Sequence, residues 1–464
     1  MVSSVKRSAP PKLLIVKKPQ WKHQKITKKL LKKENRVFDM SDPGTGKTRA
    51  HLEAWLIRRK KGGGCLLVLA PKSLLQTAWG DEIEEFLPGT TYSIAYSTNR
   101  DAAFLTSTDV YITNLDAVKW LVKQPLKFFK NFDSLIIDEI TAFKHRTSQR
   151  SRAVNKLTKY FKYRAGLTGT PNPLSITDLW HQTYLLDDGK RLGNSFFKFR
   201  NATCIPTQVG PMPNMVKWDD RDDAEAAVSY LLRAITVRHA FDKCMDIPPN
   251  HEQIIKYYPP RKLLQKYKKL EHNAVLQLQK ENVNAVNAAV LRNKLLQLAS
   301  GAVYTSEGVY EVVDDARYEL ITDLIECRQH SICFYNWKHQ KDQLIKFFEK
   351  RGIEYAVMDG TVPIKRREAI IKSYQAGFFQ TLLLHPQTGA HGLTLTKGTA
   401  TIWSSPIYQA DFLKQGFHRI VRGGQTKKTE TLLIKAMGTV EEAVYNRLNQ
   451  KTARMVNLLD MLRG

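Results

Sequence analysis

The sequence predicts an α/β chain of two tandem doubly wound parallel-sheet lobes with helical insertions between them, on three observations. Short continuous apolar runs recur in both halves and alternate with stretches of helical periodicity. Each run ends in polar or small residues, as buried parallel strands do. A mostly helical stretch, from about residue 175 to 300, separates the two series. Strand–helix alternation is the βα pattern of a parallel sheet, and in such sheets ligands bind beyond the carboxyl ends of the strands.

Taken in order, the first forty residues are Lys-rich, and LLIVKKPQWKHQKITKKLLKKENRVF holds an amphipathic helix leading into a strand. CLLVLAP (65–71), DVYITN (109–114), SLIIDE (134–139) and RAGLTGT (164–170) are the next strands. Helical patterns then dominate, broken by MDIPPNHEQIIKYYPP (245–260), whose two Pro-Pro pairs interrupt helices and mark the crossing between halves. SICFYNW (331–337), EYAVMDG (354–360), QTLLLHP (380–386), TATIWSSP (399–406) and KTETLLIKA (428–436) are the strands of the second half. The expected division is an N-terminal lobe over 1–245, a helical connection over 246–310 and a C-terminal lobe over 311–464.

At 464 residues the chain is long enough for two or three domains, each with its own core. Its formal net charge of +28 favours a polyanionic partner, with nucleic acid leading because neutralised phosphates release counterions. No apolar run approaches the roughly 18 residues of a membrane span. The start, MVSSVKRSAPPKLLIVKK, lacks the apolar core of a signal peptide. Five scattered cysteines suit reduced thiols, not a disulfide frame or a zinc site. A cytoplasmic, DNA-associated protein without membrane contact is expected, in the host cytoplasm if the source is viral.

SDPGTGKT (41–48) carries the first chemical signal. Gly44 and Gly46 allow a tight turn whose N–H groups, Thr45 included, point at an anion. Lys47 suits the outer phosphates of a nucleotide and the Thr48 hydroxyl a magnesium ion. A following helix adds its positive end. The full pattern asks for glycine six residues before the lysine, where Ser41 stands, so this stretch alone leaves a glycine-rich turn equally open. Asp138-Glu139 closes a strand and suits Mg²⁺-dependent triphosphate hydrolysis, Asp138 holding the metal and Glu139 orienting the attacking water; an acidic pair at a turn is the plainer alternative. Arg419 and Arg422 lie three apart and share a helix face, fit either for a transferring γ-phosphate or for solvent.

The ordered set resembles superfamily-two helicase motors, most closely the Swi/Snf-type DNA-dependent ATPases, in a compact bacterial or bacteriophage form. SDPGTGKT is similar to that family's DEMGLGKT, and Gln24 in WKHQ to its adenine-reading glutamine. LLVLAPKSLLQTAWGDEIEEF (66–86), YITNLDAV (111–118), IIDEITAFK (136–144) and GLTGTPNPLSITDLW (166–180) resemble its next motifs. MDGTVPIKRREAII (358–371), with Arg367, LLLHPQTGAHGLTL (382–395) and QGFHRIVRGGQ (415–425) resemble those of its second half. Three departures stand out: Thr141 replaces the histidine after the acidic pair, Thr394 an asparagine and Ala390 a glycine.

The resemblance implies two RecA-like lobes with ATP and Mg²⁺ between them. Gln24, Gly44, Thr45, Gly46, Lys47, Thr48 and Gly392 would bind the nucleotide, and Thr48 and Asp138 the metal. Glu139, Gln415, Arg419 and Arg422 would serve hydrolysis. Lys72, Ser73, Asn114, Thr170, Trp337 and Thr361 would contact nucleic acid. A monomer moving along double-stranded or branched DNA in replication, recombination or repair is expected, with accessory nuclease or replication proteins as partners. A strand-separating helicase, the motor subunit of a restriction or repair complex, and a nucleotide-gated DNA clamp with weak hydrolysis are the alternatives.

Overall fold

The computed structural model describes residues 19–171, 175–209, 215–244, 247–280, 285–305, 307–389 and 393–461. In chain order the first half contains β1 (Arg36–Asp39), β2 (Cys65–Ala70), β3 (Tyr92–Ala95), β4 (Val110–Asn114), β5 (Phe132–Asp138) and β6 (Tyr163–Leu167). An antiparallel ribbon follows, β7 (Cys204–Gln208) with β8 (Val216–Asp220), and then β9 (Thr236–Val237). The ribbon apart, these strands form one parallel sheet in the order β3-β4-β2-β5-β6-β1-β9.

The second half contributes β10 (Asn250–Tyr257), a short antiparallel pair β11 (Ala302–Tyr304) and β12 (Tyr310–Val312), then β13 (Ser331–Phe334), β14 (Tyr355–Met358), β15 (Thr381–Leu384), β16 (Ala400–Trp403) and β17 (Thr429–Ala436). Its parallel sheet has the order β10-β17-β16-β13-β15-β14. The chain is thus two tandem parallel-sheet α/β lobes, as the alternation predicts.

Alternate residues of β2 show why both faces must be apolar. Cys65, Leu67 and Leu69 pack into one core, Leu66, Val68 and Ala70 into the core on the other face. In the second sheet Ile332 and Phe334 likewise oppose Cys333. Helices cover both faces, so an uninterrupted apolar run is the only stable composition there.

Four strands escape the helical reading of 175–300: β7, β8, β9 and β10. The last pairs with β17 over eight residues, from Asn250↔Thr429 to Tyr257↔Ala436. Its flanking Pro-Pro pairs bound a sheet-edge strand, where proline is tolerated; they do not merely interrupt helices. A strand of the second sheet therefore lies inside the stretch expected to be a helical connection. β3, at the other sheet's edge and only half-buried, carries too weak a pattern to stand out.

The helix Val440–Met461 ties the lobes together. Val444, Tyr445 and Leu448 belong to the second lobe's core, whereas Met455 is buried in the first lobe's core with Val228 and Leu232. At the start of this helix Glu441 takes both guanidinium nitrogens of Arg317, at 2.8 and 2.9 Å, and the backbone N–H of Ala436 at 2.7 Å. Arg317 and Glu441 are both fully buried. Glu441→Ala strands a buried guanidinium and is expected to destabilise the second lobe by about 3–5 kcal/mol, read as a lowered midpoint in urea unfolding. Among the described residues no helix is long and apolar enough to cross a membrane, and no disulfide joins any of the five cysteines.

Candidate functional site

Register puts the chemistry at one sheet edge. Asp39 of β1 pairs with Leu167 of β6, which pairs with Asp138 of β5. Three strands therefore end level, and residues 40–46, Glu139 and the 168–170 turn leave the sheet side by side.

In the loop, Gly44 has φ 83° and Gly46 φ 68°, left-handed values that side chains disfavour. A Cβ on Gly44 would come within 2.9 Å of the Phe241 ring and 3.3 Å of the Arg422 side chain. Lys47 Nζ donates back to the carbonyls of Ser41 (2.6 Å) and Asp42 (3.1 Å), and the Thr45 hydroxyl donates to Asp42 O (2.8 Å). Gln24 braces the loop from outside. Its amide nitrogen donates to Gly46 O at 3.0 Å, and its carbonyl accepts the Trp21 N–H at 3.0 Å. Burial opposes the charge on Asp39, but His51 at 3.1 Å, together with the Lys47 charge and the bond from Ser41, outweighs it and holds that carboxyl down at about 2.

Asp138 accepts hydrogen bonds from the Trp79 indole (3.0 Å) and from the Glu139 N–H (3.1 Å). Burial pushes its carboxyl up, against those bonds and the charge of Lys47. Glu139 adopts φ 53°, ψ 52°, a left-handed conformation that costs a non-glycine residue about 1–3 kcal/mol and collects at functional sites. Two residues on, the Thr141 hydroxyl pairs with the Thr168 hydroxyl at 2.7 Å.

From the second lobe, Arg419 and Arg422 share one anchor, the carbonyl of Leu393, at 3.2 and 3.0 Å. Arg419 Nε also donates to Gln415 O at 2.9 Å. Burial, then the neighbouring Arg422 charge, lowers the Arg419 pKa, and Glu139 opposes the shift.

These groups share a cleft of about 450 Å³ between the lobes. Gly44, Gly46, Lys47, Thr48, Asp138 and Glu139 line one side, and Arg419 and Arg422 the other. Thr48 and Asp138 offer the hard oxygen donors that magnesium prefers, a carboxylate and a hydroxyl beside a phosphate seat. The crowded guanidiniums and Lys47 offer the matching positive charge. Asp81, Glu82 and Glu85 line the same cleft and were not anticipated; burial pushes the Glu82 carboxyl up to about 7, Arg422 opposing it. They lie in the stretch 66–86 that resembles a family motif, but their place at the cleft follows from contacts such as the Trp79–Asp138 bond, which no local pattern reveals.

A second inter-lobe cleft of about 490 Å³ gathers Lys72, Asn114 and Thr170 with Lys144, Arg150 and Arg367. Glu139 lines both clefts. Gln415, expected to serve hydrolysis, lines this second one. Trp337 and Thr361 are not brought to it. Trp337 packs against the second lobe's core and stacks on His339, and the Thr361 hydroxyl caps Asp359 at 2.6 Å beside another cavity. Gly392 lies outside the described residues, as does the side chain of Ser73.

Known proteins resemble the chain over most of its length. Putative protein p41 of Acyrthosiphon pisum secondary endosymbiont phage 1 is 26% identical over 447 residues, 90% of this chain and 93% of its own. An uncharacterized ATP-dependent helicase of Mycoplasma pneumoniae is 25% identical, over 82% of this chain but 35% of its own length. A solved Sulfolobus solfataricus SWI2/SNF2 ATPase core in complex with dsDNA aligns over 95% of this chain and 93% of its own, at 20% identity and a TM-score of 0.44. The family described as SNF2-related domain matches residues 28–301, and the helicase conserved C-terminal domain matches 316–424. With more than half of its residues inside the first match and both lobes accounted for, the chain belongs to the SNF2-related family of helicase-type ATPases.

Proposed function

We propose that the chain is an ATP-driven translocase on double-stranded DNA, hydrolysing ATP in the first cleft and gripping the duplex backbone at the second. The observation that carries this reading is the meeting of Lys47, Thr48, Asp138 and Glu139 with Arg419 and Arg422 around one space. Lys47 and the loop N–H groups hold the phosphates. Thr48 and Asp138 would hold Mg²⁺, which supplies charge neutralisation across the outer phosphates when bound. Glu139 orients the attacking water, and the two arginines meet the charge that develops on the transferred phosphoryl group. Gln24 fixes the loop and reads adenine only by exchanging a bond it now makes with protein.

In the second cleft Lys72, Lys144, Arg150 and Arg367 suit backbone phosphates, and Asn114 and Thr170 suit sugar or phosphate oxygens, so they set position and not sequence. Glu139 connects the two activities, since a duplex seated in one cleft touches the wall of the other. The Thr141–Thr168 bond ties the acidic pair to the 168–170 turn and favours a coupled motor over a clamp with weak hydrolysis. The names of the helicase relatives support the same chemistry, although this chain spans 35% of the Mycoplasma pneumoniae protein and 46% of a mouse chromodomain-helicase-DNA-binding protein 1-like. Acting as a monomer on cytoplasmic DNA, such a motor strips proteins or migrates branches in replication, recombination or repair.

ATP turnover measured without nucleic acid and with duplex, single strand, forks and RNA tests this reading. Duplex is expected to stimulate most, and no stimulation by any DNA would refute the proposal. Lys72→Ala is expected to weaken binding to all sequences alike and to reduce the slope of log K against log salt by about one.

A further inference from the structure

We propose that Lys414 is a positioning residue of the ATPase, a cation of the second lobe that grips the phosphate loop itself and so holds the lobes in the arrangement that brings Arg419 and Arg422 to the cleft. The inference rests on the reading of the first cleft as an ATP site.

Lys414 lies on the helix Ala410–Phe417, just before Gln415. Its side chain is 16% exposed and crosses to the first lobe, where Nζ sits 2.8 Å from Asp42 Oδ1 and donates to the carbonyl of Gly169 at 3.3 Å. One ammonium thus touches two elements at once, the phosphate loop and the 168–170 turn. These two are already pressed together: a Cβ on Gly169 would come within 2.8 Å of the Pro43 ring. The turn is tied in turn to the acidic pair through Thr168 and Thr141.

Asp42 is where a pull on the loop has most effect. Its carboxylate also takes Arg238, at 3.0 and 3.1 Å, and the Phe241 N–H at 3.0 Å. Its own carbonyl accepts from Thr45 and from Lys47 Nζ. A shift of Asp42 therefore moves the seat of Lys47, the group that meets the phosphates. Arg419 and Arg422 face the cleft, whereas Lys414 reaches the Asp42 carboxylate of the loop and the Gly169 carbonyl of the adjoining turn. It acts on the nucleotide only through the loop and through the lobe arrangement it favours, because the catalytic set is complete only when the cleft is shut.

Removing the ammonium leaves Asp42 with Arg238 and the Phe241 N–H, so the carboxylate keeps partners and Lys414→Met is expected to fold. In this variant kcat for DNA-stimulated ATP turnover is expected to fall about 10- to 100-fold, the scale on which a small misplacement of the reacting groups slows a reaction. KM for ATP should stay within about threefold of wild type and the thermal melt should be unchanged. A structural role alone does not produce that split. Independently, fluorophores at Cys327 and at Lys127→Cys, with Cys244→Ser, read the distance between lobes. Lys414→Met should shift the distance distribution to longer values, both before ATP is added and with it. An unchanged distribution, or an unchanged kcat, overturns the role of Lys414. Absence of turnover in the wild-type chain would instead overturn the ATPase reading, and the lobe distance would still decide whether Lys414 holds the lobes.

Discussion

Glu139→Gln is expected to lower DNA-stimulated ATP turnover by about 10²- to 10⁴-fold, the range for loss of a positioned acid–base group. Glutamine keeps the length and shape of the side chain, so the left-handed backbone at this position, φ 53°, is disturbed as little as any substitution allows. It removes the charge that faces Arg419 across the cleft and the acceptor that orients water. The Asp138 bonds to Trp79 and to the backbone at 139 remain available, so the proposed metal seat survives. Nucleotide affinity, measured with a fluorescent ATP analogue, should therefore change by no more than about threefold while kcat collapses, as expected when an interaction is made only in the transition state. Turnover that stays near wild type would remove Glu139 from the site and with it the proposed link between the two clefts.

Arg419→Ala is expected to cost about 10³-fold or more in kcat, the scale on which an arginine acts at a transferring phosphoryl group. The geometry argues for a preorganised group. Arg419 is 3% exposed, and Nε and Nη1 are both fixed by backbone carbonyls, of Gln415 and Leu393. Burial and the adjacent Arg422 both work against its charge, which is tolerable at a site built to meet a strong anion. Arg419→Lys keeps a charge but cannot form the two-point anchor, since an ammonium is a point donor and a guanidinium a planar fork. It should recover only a small part of the lost rate. The measurement is single-turnover hydrolysis with preformed protein–DNA complex, accompanied by a thermal melt, because alanine also removes the side-chain donor to the Gln415 carbonyl, while the Leu393 carbonyl keeps Arg422. Loss of rate in step with loss of folded protein would argue for a structural role; loss of rate in a folded variant is the expected result.

Much of this arrangement was legible from residue order. The strands that carry the site are continuous apolar runs, because both sheet faces are covered, and their ends mark the carboxyl edge. β2, β4 and β5 were placed to within a residue or two, and β6 to within three. The loop's left-handed turns were legible as well, since Gly44 and Gly46 are the residues that take positive φ without strain. β10 was not, because its prolines signal interruption locally and only its pairing with β17 makes them the borders of an edge strand. Trp79 carried no visible role, because its bond to Asp138 joins residues 59 positions apart. Gln415 sat in the expected motif yet faces the second cleft, a choice made by how its helix docks and not by its neighbours in the chain.

Strand periodicity determined by itself that this protein has two parallel-sheet lobes, because that signal is local and is dictated by burial; that it is an ATPase of the SNF2-related kind was legible only through the resemblance of its ordered short motifs. Which charged groups meet across the lobes was decided only by the tertiary structure. Lys414 and Gly169 stand 245 residues apart, and contacts at that separation depend on the docking of two independently folded sheets, which no local pattern encodes.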